Sequence, residues 1–279
     1  MTLPGSARVR AGGPGWDLEG PSDAPLLVFI HGTRVTRASW RAVIARLADS
    51  YRCLSLDLPG HGDLADVAFS LDSAVNSVGA AIGAANATAG DSPLHGARDG
   101  RGGGRGAGRA ILVGLSLGGY VAMAMAGRDP TRVRGLVLAG CTAEPGGRAA
   151  AAFRLFGWAL ATLPQAPLDA VNSWLFRRRY APEIAEPIIA AGYWSRGGAE
   201  AIRAIAATTF RQRLEAFGGP ALVVNGDLDF VFRIGERSFI RGLPRTRRVT
   251  LAWTSHLSPL DRPDRFADEV RAFERELRA

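Results

Sequence analysis

Residues 111–119 read ILVGLSLGG, a mostly apolar run that ends in one serine, Ser116, among glycines. The chain has 35 glycines in 279 residues, so a serine between glycines can arise by chance. A buried strand before Ser116 and a helix after it would place the serine on a sharp, exposed turn. The sequence on either side of Ser116 therefore decides what this residue does.

Apolar runs alternate with helical patterns along most of the chain. Strands are predicted at 25–31 (PLLVFIH), 51–57 (YRCLSLD), 110–115 (AILVGL), 133–140 (VRGLVLAG), 220–226 (PALVVNG) and 247–253 (RRVTLAW). Apolar residues at helical spacing, or runs of small apolar residues, predict helices at 38–49, 71–87, 117–130 and 263–277. Because such alternation is typical of parallel sheets covered on both faces, we predict an α/β fold with a mostly parallel, doubly wound sheet.

Residues 144–217 interrupt this alternation. Four helical pieces follow one another there without an intervening strand, at 149–164, 167–180, 182–194 and 198–217. We interpret them as an inserted helical cap. The predicted core then comprises residues 1–143 and 218–279.

Composition and charge narrow the class of protein. The net charge is +8, and all 34 basic residues are arginines spread along the chain, which does not indicate a nucleic-acid site. No apolar run approaches the roughly 18 residues of a membrane span, and the N-terminal sequence lacks the apolar core of a signal peptide. We expect a cytoplasmic protein. Cys53 and Cys141 lie in or at the end of apolar runs and are expected to be buried thiols.

A Gly/Arg-rich loop is predicted at 90–109. Its densest part, residues 96–109, contains seven glycines and four arginines and no residue that could anchor a core. This composition predicts disorder. An RNA-binding segment is the alternative, but it lacks the interleaved aromatic residues that such segments use for stacking. We therefore expect no nucleic-acid partner.

The glycines around Ser116 suit a nucleophile on a strained turn. Such a turn brings the residues two positions before and after the serine close together, where side chains would collide, and Gly114, Gly118 and Gly119 avoid the collision. The backbone N–H of Leu117 is predicted to lie at a helix start. Backbone donors and the helix dipole at that position stabilise a developing oxyanion.

A serine hydroxyl needs a general base, and the chain has four histidines. His31 and His61 precede Ser116, at a strand end and in the turn PGHG, and His95 lies in the Gly/Arg-rich loop. His256 follows the last predicted strand and precedes the final helix. We predict that His256 is the base.

The base needs a carboxylate that fixes its tautomer. Asp227 and Asp229 both follow the strand at 220–226, and Glu144 follows the strand at 133–140. We favour Asp229 and keep the other two as alternatives. The resulting chain order of serine, acid and histidine is the one expected of hydrolases with a nucleophile elbow.

Five motifs together resemble the α/β-hydrolase superfamily from about residue 25 to residue 277. In chain order they are FIHGT (29–33), LDLPGHG (56–62), GLSLGGY (114–120), VNGDLD (224–229) and SHLSPLDRP (255–263). The resemblance implies an oxyanion hole formed by the backbone N–H groups of Thr33 and Leu117. It also implies that Asp229, three residues after Gly226, is the acid, and that cap helices line the substrate pocket. The chain departs from the family in its long Gly/Arg-rich loop and its short cap.

The resemblance implies acyl transfer to Ser116, with His256 as general base, followed by hydrolysis of the acyl-enzyme. We expect a carboxylic ester of a small to medium apolar substrate, with Trp158, Phe230 and Leu257 in contact with it. Further aromatic residues of the predicted cap either line an apolar pocket or pack the cap onto the sheet: Phe153, Phe156, Trp174, Phe176 and Trp194. The triad and two backbone donors imply no cofactor and no metal.

Three alternatives share these motifs. A carbon–carbon bond hydrolase or lyase acting on a keto-acid would need an arginine for the carboxylate, and Arg34, Arg37 and the run 177–179 are candidates. A cofactor-free perhydrolase or haloperoxidase would use the same triad. A ligand receptor on the same fold, with little or no turnover, belongs to a different functional class.

Overall fold

A computed structural model describes residues 8–88, 108–147, 150–206 and 208–279 of the chain. Eight strands in this part form one sheet: β1 (Arg8–Gly13), β2 (Trp16–Pro21), β3 (Leu26–Ile30), β4 (Arg52–Leu56), β5 (Ala110–Leu115), β6 (Val133–Ala139), β7 (Ala221–Gly226) and β8 (Thr246–Leu251). The strand order is β1-β2-β4-β3-β5-β6-β7-β8. Strands β3 to β8 are parallel, and β1 and β2 are antiparallel to their neighbours. The prediction of a mostly parallel sheet is confirmed.

The same part of the chain contains twelve α-helices. They are α1 (Arg41–Leu47), α2 (Leu71–Thr88), α3 (Leu117–Arg128), α4 (Ala150–Thr162), α5 (Gln165–Arg179), α6 (Pro182–Ala190), α7 (Ser195–Ala206), α8 (Phe210–Phe217), α9 (Phe230–Ile234), α10 (Glu236–Phe239), α11 (Ser258–Asp261) and α12 (Pro263–Glu276). Short 3-10 helices span Arg37–Trp40, Gly62–Leu64 and Pro130–Arg132.

Helices cover both faces of the sheet, which explains why its central strands are apolar on both sides. Every residue of β3, β4, β5 and β7 is buried. Val28 packs into the cluster formed with α2 and α3, whereas its neighbour Phe29 packs into the cluster formed with α1 and α12. The doubly wound arrangement is therefore confirmed, since successive residues of one strand serve two separate cores.

The N-terminal hairpin of β1 and β2 is missing from the sequence-based prediction. It extends the sheet beyond β4, with Leu18 of β2 opposite Leu54. Leu18 is the one large apolar side chain that β2 buries completely. A strand with so little apolar sequence gives no clear signal of its own, and pairing with β4 determines its conformation.

Helices α4 to α8 lie between β6 and β7, and the described residues of this segment include no strand. The structure has five helices here rather than the predicted four, because α7 and α8 are separate. Thr209 immediately before α8 is extended, with φ −95° and ψ 102°. Phe153 of α4 makes edge contacts with Tyr120 of α3 and Phe232 of α9, at centroid distances of 6.2 and 6.4 Å. This aromatic cluster joins α4 to two helices that follow strands of the sheet, α3 and α9.

Other sequence predictions concern the cysteines and the Gly/Arg-rich loop. Cys53 and Cys141 are buried and unpaired, as predicted. His95 and most of the Gly/Arg-rich loop lie outside the described residues.

Among the helices that are described, none is both long and apolar enough to cross a membrane. Nor do the described residues include a cluster of three or more His, Cys, Asp or Glu that could hold a metal ion.

Two buried histidines make the stability of the fold depend on pH. Burial lowers the pKa of His31 to about 4 and that of His61 to about 3, and the two rings lie 5.0 Å apart. The unfolded chain takes up a proton on each ring below its ordinary pKa of 6.5, whereas the folded chain does so only near the lowered values. The free energy of unfolding therefore falls as the pH is lowered from 6.5 toward 4.

We expect a loss of roughly 1.5 kcal/mol per histidine between pH 6.5 and pH 5, because the slope rises from about half of 1.4 kcal/mol per pH unit at pH 6.5 toward the full value at lower pH. Urea unfolding at a series of pH values measures this slope. His61→Asn removes one of the two titrating rings and should roughly halve the slope. A slope that His61→Asn leaves unchanged would contradict the assignment.

Candidate active site

Ser116 lies on the turn between the end of β5 at Leu115 and the start of α3 at Leu117. Its backbone has φ 51° and ψ −114°, a conformation that costs a non-glycine residue roughly 1–3 kcal/mol. The N–H of Ser116 donates a hydrogen bond of 2.7 Å to the carbonyl of Ala139, at the end of β6. The neighbouring strand thus holds the turn in its strained conformation.

Glycines permit the close packing around this turn. A Cβ at Gly114 would lie 2.5 Å from the backbone of Gly118, and a Cβ at Gly118 would lie 2.0 Å from the carbonyl oxygen of Ile30. A Cβ at Gly119 would lie 2.3 Å from Sγ of Cys141. Side chains at these positions would push the start of α3 away from β3 and β6.

His256 lies in the loop after β8 and contacts Asp229, which directly precedes α9. The Nδ1–H of His256 donates to Oδ2 of Asp229 at 2.9 Å, and the side chain of Asp229 is 4% exposed. The imidazole ring stacks on Phe232, with centroids 4.8 Å apart and planes 22° apart. Behind the ring, a Cβ at Gly140 would lie 2.6 Å from Cε1 of His256. The ring is therefore fixed by a carboxylate, an aromatic face and a glycine.

The two alternative acids bind backbone groups elsewhere. Oδ1 of Asp227 accepts a hydrogen bond from the N–H of Thr254 at 3.0 Å. Glu144 accepts from the N–H groups of Phe210 and Arg211, at 3.0 and 2.5 Å, and so caps the start of α8. Of the three carboxylates, the structure brings only Asp229 against His256.

Ser116 and His256 line the same cavity, which has a volume of about 270 Å³. Thr33, in the loop after β3, lines it as well. These loops all follow the carboxyl ends of parallel strands, the edge at which open α/β sheets bind ligands. Among the described residues, no hydrogen bond joins the Ser116 hydroxyl to His256. The two residues are related by lining the same cavity.

Thr33 and Leu117, the predicted oxyanion-hole residues, both lie near the serine turn: Leu117 follows Ser116 directly, and a Cβ at Gly32, next to Thr33, would lie 3.6 Å from the Cβ of Ser116. Leu117 is the first residue of α3, so its N–H has no partner within the helix. Within the described part of the chain, neither N–H donates a hydrogen bond. His31 positions the Thr33 loop: its Nδ1–H donates to the carbonyl of Gly32 at 2.8 Å, and its Nε2 accepts from the N–H of Leu58 at 2.9 Å. His31 is therefore a buried structural residue.

The three predicted substrate contacts differ in where the structure places them. Leu257 lines the cavity, but Trp158 and Phe230 do not, and they are 60% and 69% exposed. Trp158 follows Gly157, which is buried against the neighbouring helix, so the tryptophan points away from the core side of α4. Phe230 begins α9 and is exposed, whereas Phe232, two residues later, is the phenylalanine that packs on His256.

Several cavity residues come from the inserted helices and their connections. Phe156 of α4, Asn172 and Phe176 of α5, and Tyr193 line the cavity. Phe156 and Phe176 were among the aromatic residues for which the sequence left a place in the pocket open. Asn172 and Tyr193 were missed, because a polar residue on an irregular amphipathic helix and a tyrosine outside a helix carry no signal of where they face.

Arg34 and Arg37, three residues apart, lie in different environments. Arg34 lines the cavity; its Nε donates to Ser195 Oγ at 2.8 Å and its Nη2 to Asp169 Oδ1 at 2.7 Å. Burial lowers the pKa of Arg34, whose side chain is 11% exposed. Arg37 instead lines a separate cavity of about 920 Å³ that contains neither Ser116 nor His256.

The remaining candidate arginines already have partners. Arg37 pairs with the carboxylates of Asp17, Asp57 and Asp63. Arg177 pairs with Glu186, Arg178 stacks over the ring of Trp174, and Arg179 pairs with Asp261. The cavity lining therefore includes Arg34 and excludes the other arginines proposed from sequence.

The chain is similar to known proteins in sequence and in fold. The model of the family described as "Alpha/beta hydrolase family" matches residues 27–269. The 2-succinyl-6-hydroxy-2,4-cyclohexadiene-1-carboxylate synthase of Enterobacter sp. (strain 638) is 33% identical over 135 residues, which cover 48% of this chain and 42% of that protein. The chain thus spans less than half the length of this relative.

Two further similarities extend over nearly the whole chain. The pimeloyl-[acyl-carrier protein] methyl ester esterase of Nitrosomonas europaea is 24% identical over 270 residues, covering 89% of this chain and 95% of that protein. The structure of MenH from S. aureus superposes with a TM-score of 0.73 and 17% identity, covering 95% of this chain and 99% of that one. At this identity the structural likeness concerns the fold alone. The resemblance found in the motifs is confirmed by the family match.

The packing at the serine turn predicts that Gly118→Ala is strongly destabilising. Its Cβ would overlap the Ile30 carbonyl oxygen at 2.0 Å, and neither backbone segment can move without disturbing the sheet. We expect a loss of at least about 3 kcal/mol in the free energy of unfolding, measured by urea denaturation.

Gly83→Ala is the matched control for this substitution. Gly83 lies within α2, where the new Cβ would meet Arg132 Nη2 at an ordinary 3.6 Å. Alanine should leave stability unchanged or raise it by up to about 1 kcal/mol. If both variants are as stable as the wild type, the close-packing argument fails.

Proposed function

Because the chain belongs to the alpha/beta hydrolase family, we propose that it is a serine hydrolase that cleaves carboxylic esters through an acyl-enzyme on Ser116. The observation that carries the proposal is the 2.9 Å hydrogen bond between His256 and buried Asp229, beside a cavity that Ser116 also lines. Similarity to a methyl ester esterase over nearly the full chain supports an ester as substrate.

In the proposed mechanism, His256 removes the proton of Ser116 as its oxygen attacks the ester carbonyl. This step requires Nε2 and the serine oxygen to approach to roughly 2.6–3.2 Å. Asp229 holds Nδ1 protonated, so that Nε2 is free to accept, and it stabilises the imidazolium that forms. His256 then gives the proton to the leaving alcohol and activates a water that hydrolyses the acyl-enzyme.

The unpaired N–H groups of Thr33 and Leu117 would stabilise the negative charge on the carbonyl oxygen. Both donors are fixed before substrate arrives: Leu117 by the buried start of α3, and Thr33 by the His31 hydrogen bonds. Such preorganised donors are worth about 10²- to 10³-fold each in kcat.

The cavity suits a small to medium substrate. Its volume of about 270 Å³ lies near the lower limit of roughly 300–1,000 Å³ for ligand pockets. Apolar side chains line much of it, including Phe156, Phe176, Leu257 and Leu260. We propose that α4 to α8 form the cap, with Phe156 and Phe176 as the acyl-group contacts from that side.

Substitution of Ser116 tests the proposal directly. The wild type should hydrolyse p-nitrophenyl acetate and butyrate and react with a fluorophosphonate at Ser116, located by mass spectrometry. Ser116→Ala should lose both labelling and at least about 10³-fold in kcat. A folded wild type that neither turns over nor labels would favour a ligand receptor on this fold.

A matched pair of carboxylate variants tests the acid in the same assay. Asp229→Asn should lower kcat by roughly 10⁴-fold, because an amide does not hold the required tautomer of His256. Asp227→Asn keeps an oxygen acceptor for the N–H of Thr254 and should retain activity to within about tenfold. Retention of activity in Asp229→Asn to within about tenfold would remove Asp229 from the mechanism, and a loss confined to Asp227→Asn would assign the acid to Asp227.

One observation favours a second candidate, the cleavage of a carbon–carbon bond in a keto-acid. Arg34 follows Thr33 directly and lines the cavity, where a guanidinium can bind a substrate carboxylate. Loss of absorbance of a conjugated keto-acid would measure such cleavage. The same guanidinium would bind the carboxylate of an ester whose acyl part carries one, and this can be measured in the esterase assay.

Arg34→Gln tests whether the arginine binds carboxylates. We expect KM for a p-nitrophenyl hemiester of a dicarboxylic acid to rise roughly 10- to 100-fold, the loss of a charged hydrogen bond, with p-nitrophenyl butyrate unaffected. Asp169→Asn, which removes the present partner of Arg34, should not raise KM for the hemiester. A rise for both esters would mean that Arg34 only positions the Thr33 loop.

A further inference from the structure

Helix α5 has an unusual position, because none of its fifteen residues is buried. Its inward side contains Asp169, which pairs with Arg34, and Asn172 and Phe176, which line the cavity. Helix α4 precedes it in the chain and buries Phe153, Gly157 and Leu160. Each helix therefore has an inward side that is defined by contacts and an opposite side that faces away from the rest of the protein.

Large apolar side chains lie on the opposite side of both helices. Leu155 and Trp158 of α4 are 65% and 60% exposed, and Val171, Trp174 and Leu175 of α5 are 54%, 57% and 48% exposed. Their spacings of three and four residues place them on one side of each helix. Isolated exposed apolar residues are ordinary, but five on two consecutive helices, each on the side of its helix that faces away from the core, indicate an interaction surface.

The charged side chains on this side of α4 and α5 are positive. Arg154 and Arg178 are exposed on the same two helices, and Arg178 stacks over Trp174 at 5.5 Å. Neither has a carboxylate partner among the described residues. The sequence contains a single acidic residue between 150 and 180, Asp169, and its carboxylate points inward to Arg34.

We propose that this outer face, formed by Arg154, Leu155 and Trp158 of α4 and Val171, Trp174, Leu175 and Arg178 of α5, docks onto an anionic lipid surface. Tryptophan suits the boundary between head groups and acyl chains, and leucine and valine suit the acyl region. Arginine side chains attract anionic head groups. Helices with this composition lie in the plane of the interface rather than crossing it.

Charge argues against a second copy of the chain as the occupant. An isologous contact would bring the arginines of one outer face against those of the other, with no acid on either face to compensate. A lipid surface accepts the apolar and the cationic residues together. Phe156, which is 46% exposed and lines the cavity, would then stand beside the docked face.

Vesicle flotation tests the proposal without any turnover assay, so its result is independent of the proposed esterase activity. The wild-type protein should bind vesicles of phosphatidylcholine mixed with phosphatidylglycerol, and should bind phosphatidylcholine vesicles at least tenfold more weakly. High salt should weaken the binding. Trp158→Ser combined with Trp174→Ser should reduce binding at least tenfold while the circular dichroism spectrum and thermal unfolding stay unchanged, because both residues are exposed.

The arginine contribution has a charge-matched control. Each arginine at an anionic surface contributes a factor of roughly five, so Arg154→Gln combined with Arg178→Gln should weaken binding about 30-fold. Arg265→Gln combined with Arg275→Gln removes the same charge from exposed positions on α12, which packs on α1, and should bind as the wild type does.

Four results would overturn the proposal. The first is an absence of binding to either kind of vesicle, and the second is equal binding to both. The third is binding that the outer-face variants leave unchanged. The fourth is a wild-type dimer, detected by light scattering, that the tryptophan variant converts to a monomer without any vesicle binding; the outer face would then join two copies of the chain.

Discussion

The close approach of α3 to the end of β3 is the constraint on which the rest of the site depends. Gly118 lies so near the carbonyl of Ile30 that no side chain fits between them. This contact sets the start of α3 and forces Ser116 into a positive φ of 51°. Residues from Leu117 through Ala126 are all buried, so the packing of one helix offsets the strain of one residue.

The order of the strands assembles the remaining groups around that turn. Thr33 follows β3, the neighbour of β5, while Gly140 follows β6, Asp229 follows β7 and His256 follows β8. Since all these strands are parallel, their carboxyl ends meet at one edge of the sheet. The residues are distant in sequence, yet each needs only a short loop to reach the cavity. The rigidity of this set of site residues derives from the sheet.

The sheet was predictable because β3 to β7 are apolar on both faces, and the pairing of His256 with Asp229 followed from chain order and motif. The sequence did not reveal β2, which buries one large apolar side chain. Nor did it reveal which of Phe230 and Phe232 packs against His256. That choice depends on the direction of α9, a five-residue helix whose start is set by Asp229. Trp158 shows the same limit, since a periodic helix reveals one buried side but not which residues beside it face a cavity.

Arg34 and Arg37 show how tertiary contacts decide the role of similar residues. Arg37 meets carboxylates from β2, from the end of β4 and from the following turn, so its charge is compensated within the sheet domain. Among the described residues, Arg34 has one carboxylate partner, Asp169, which belongs to α5. The electrostatic potential of the cavity therefore depends on where α5 lies. Helix α5 buries none of its residues, so the Arg34–Asp169 pair and the packing of Phe176 against Tyr180 and Tyr193 are among the contacts that hold its inward side.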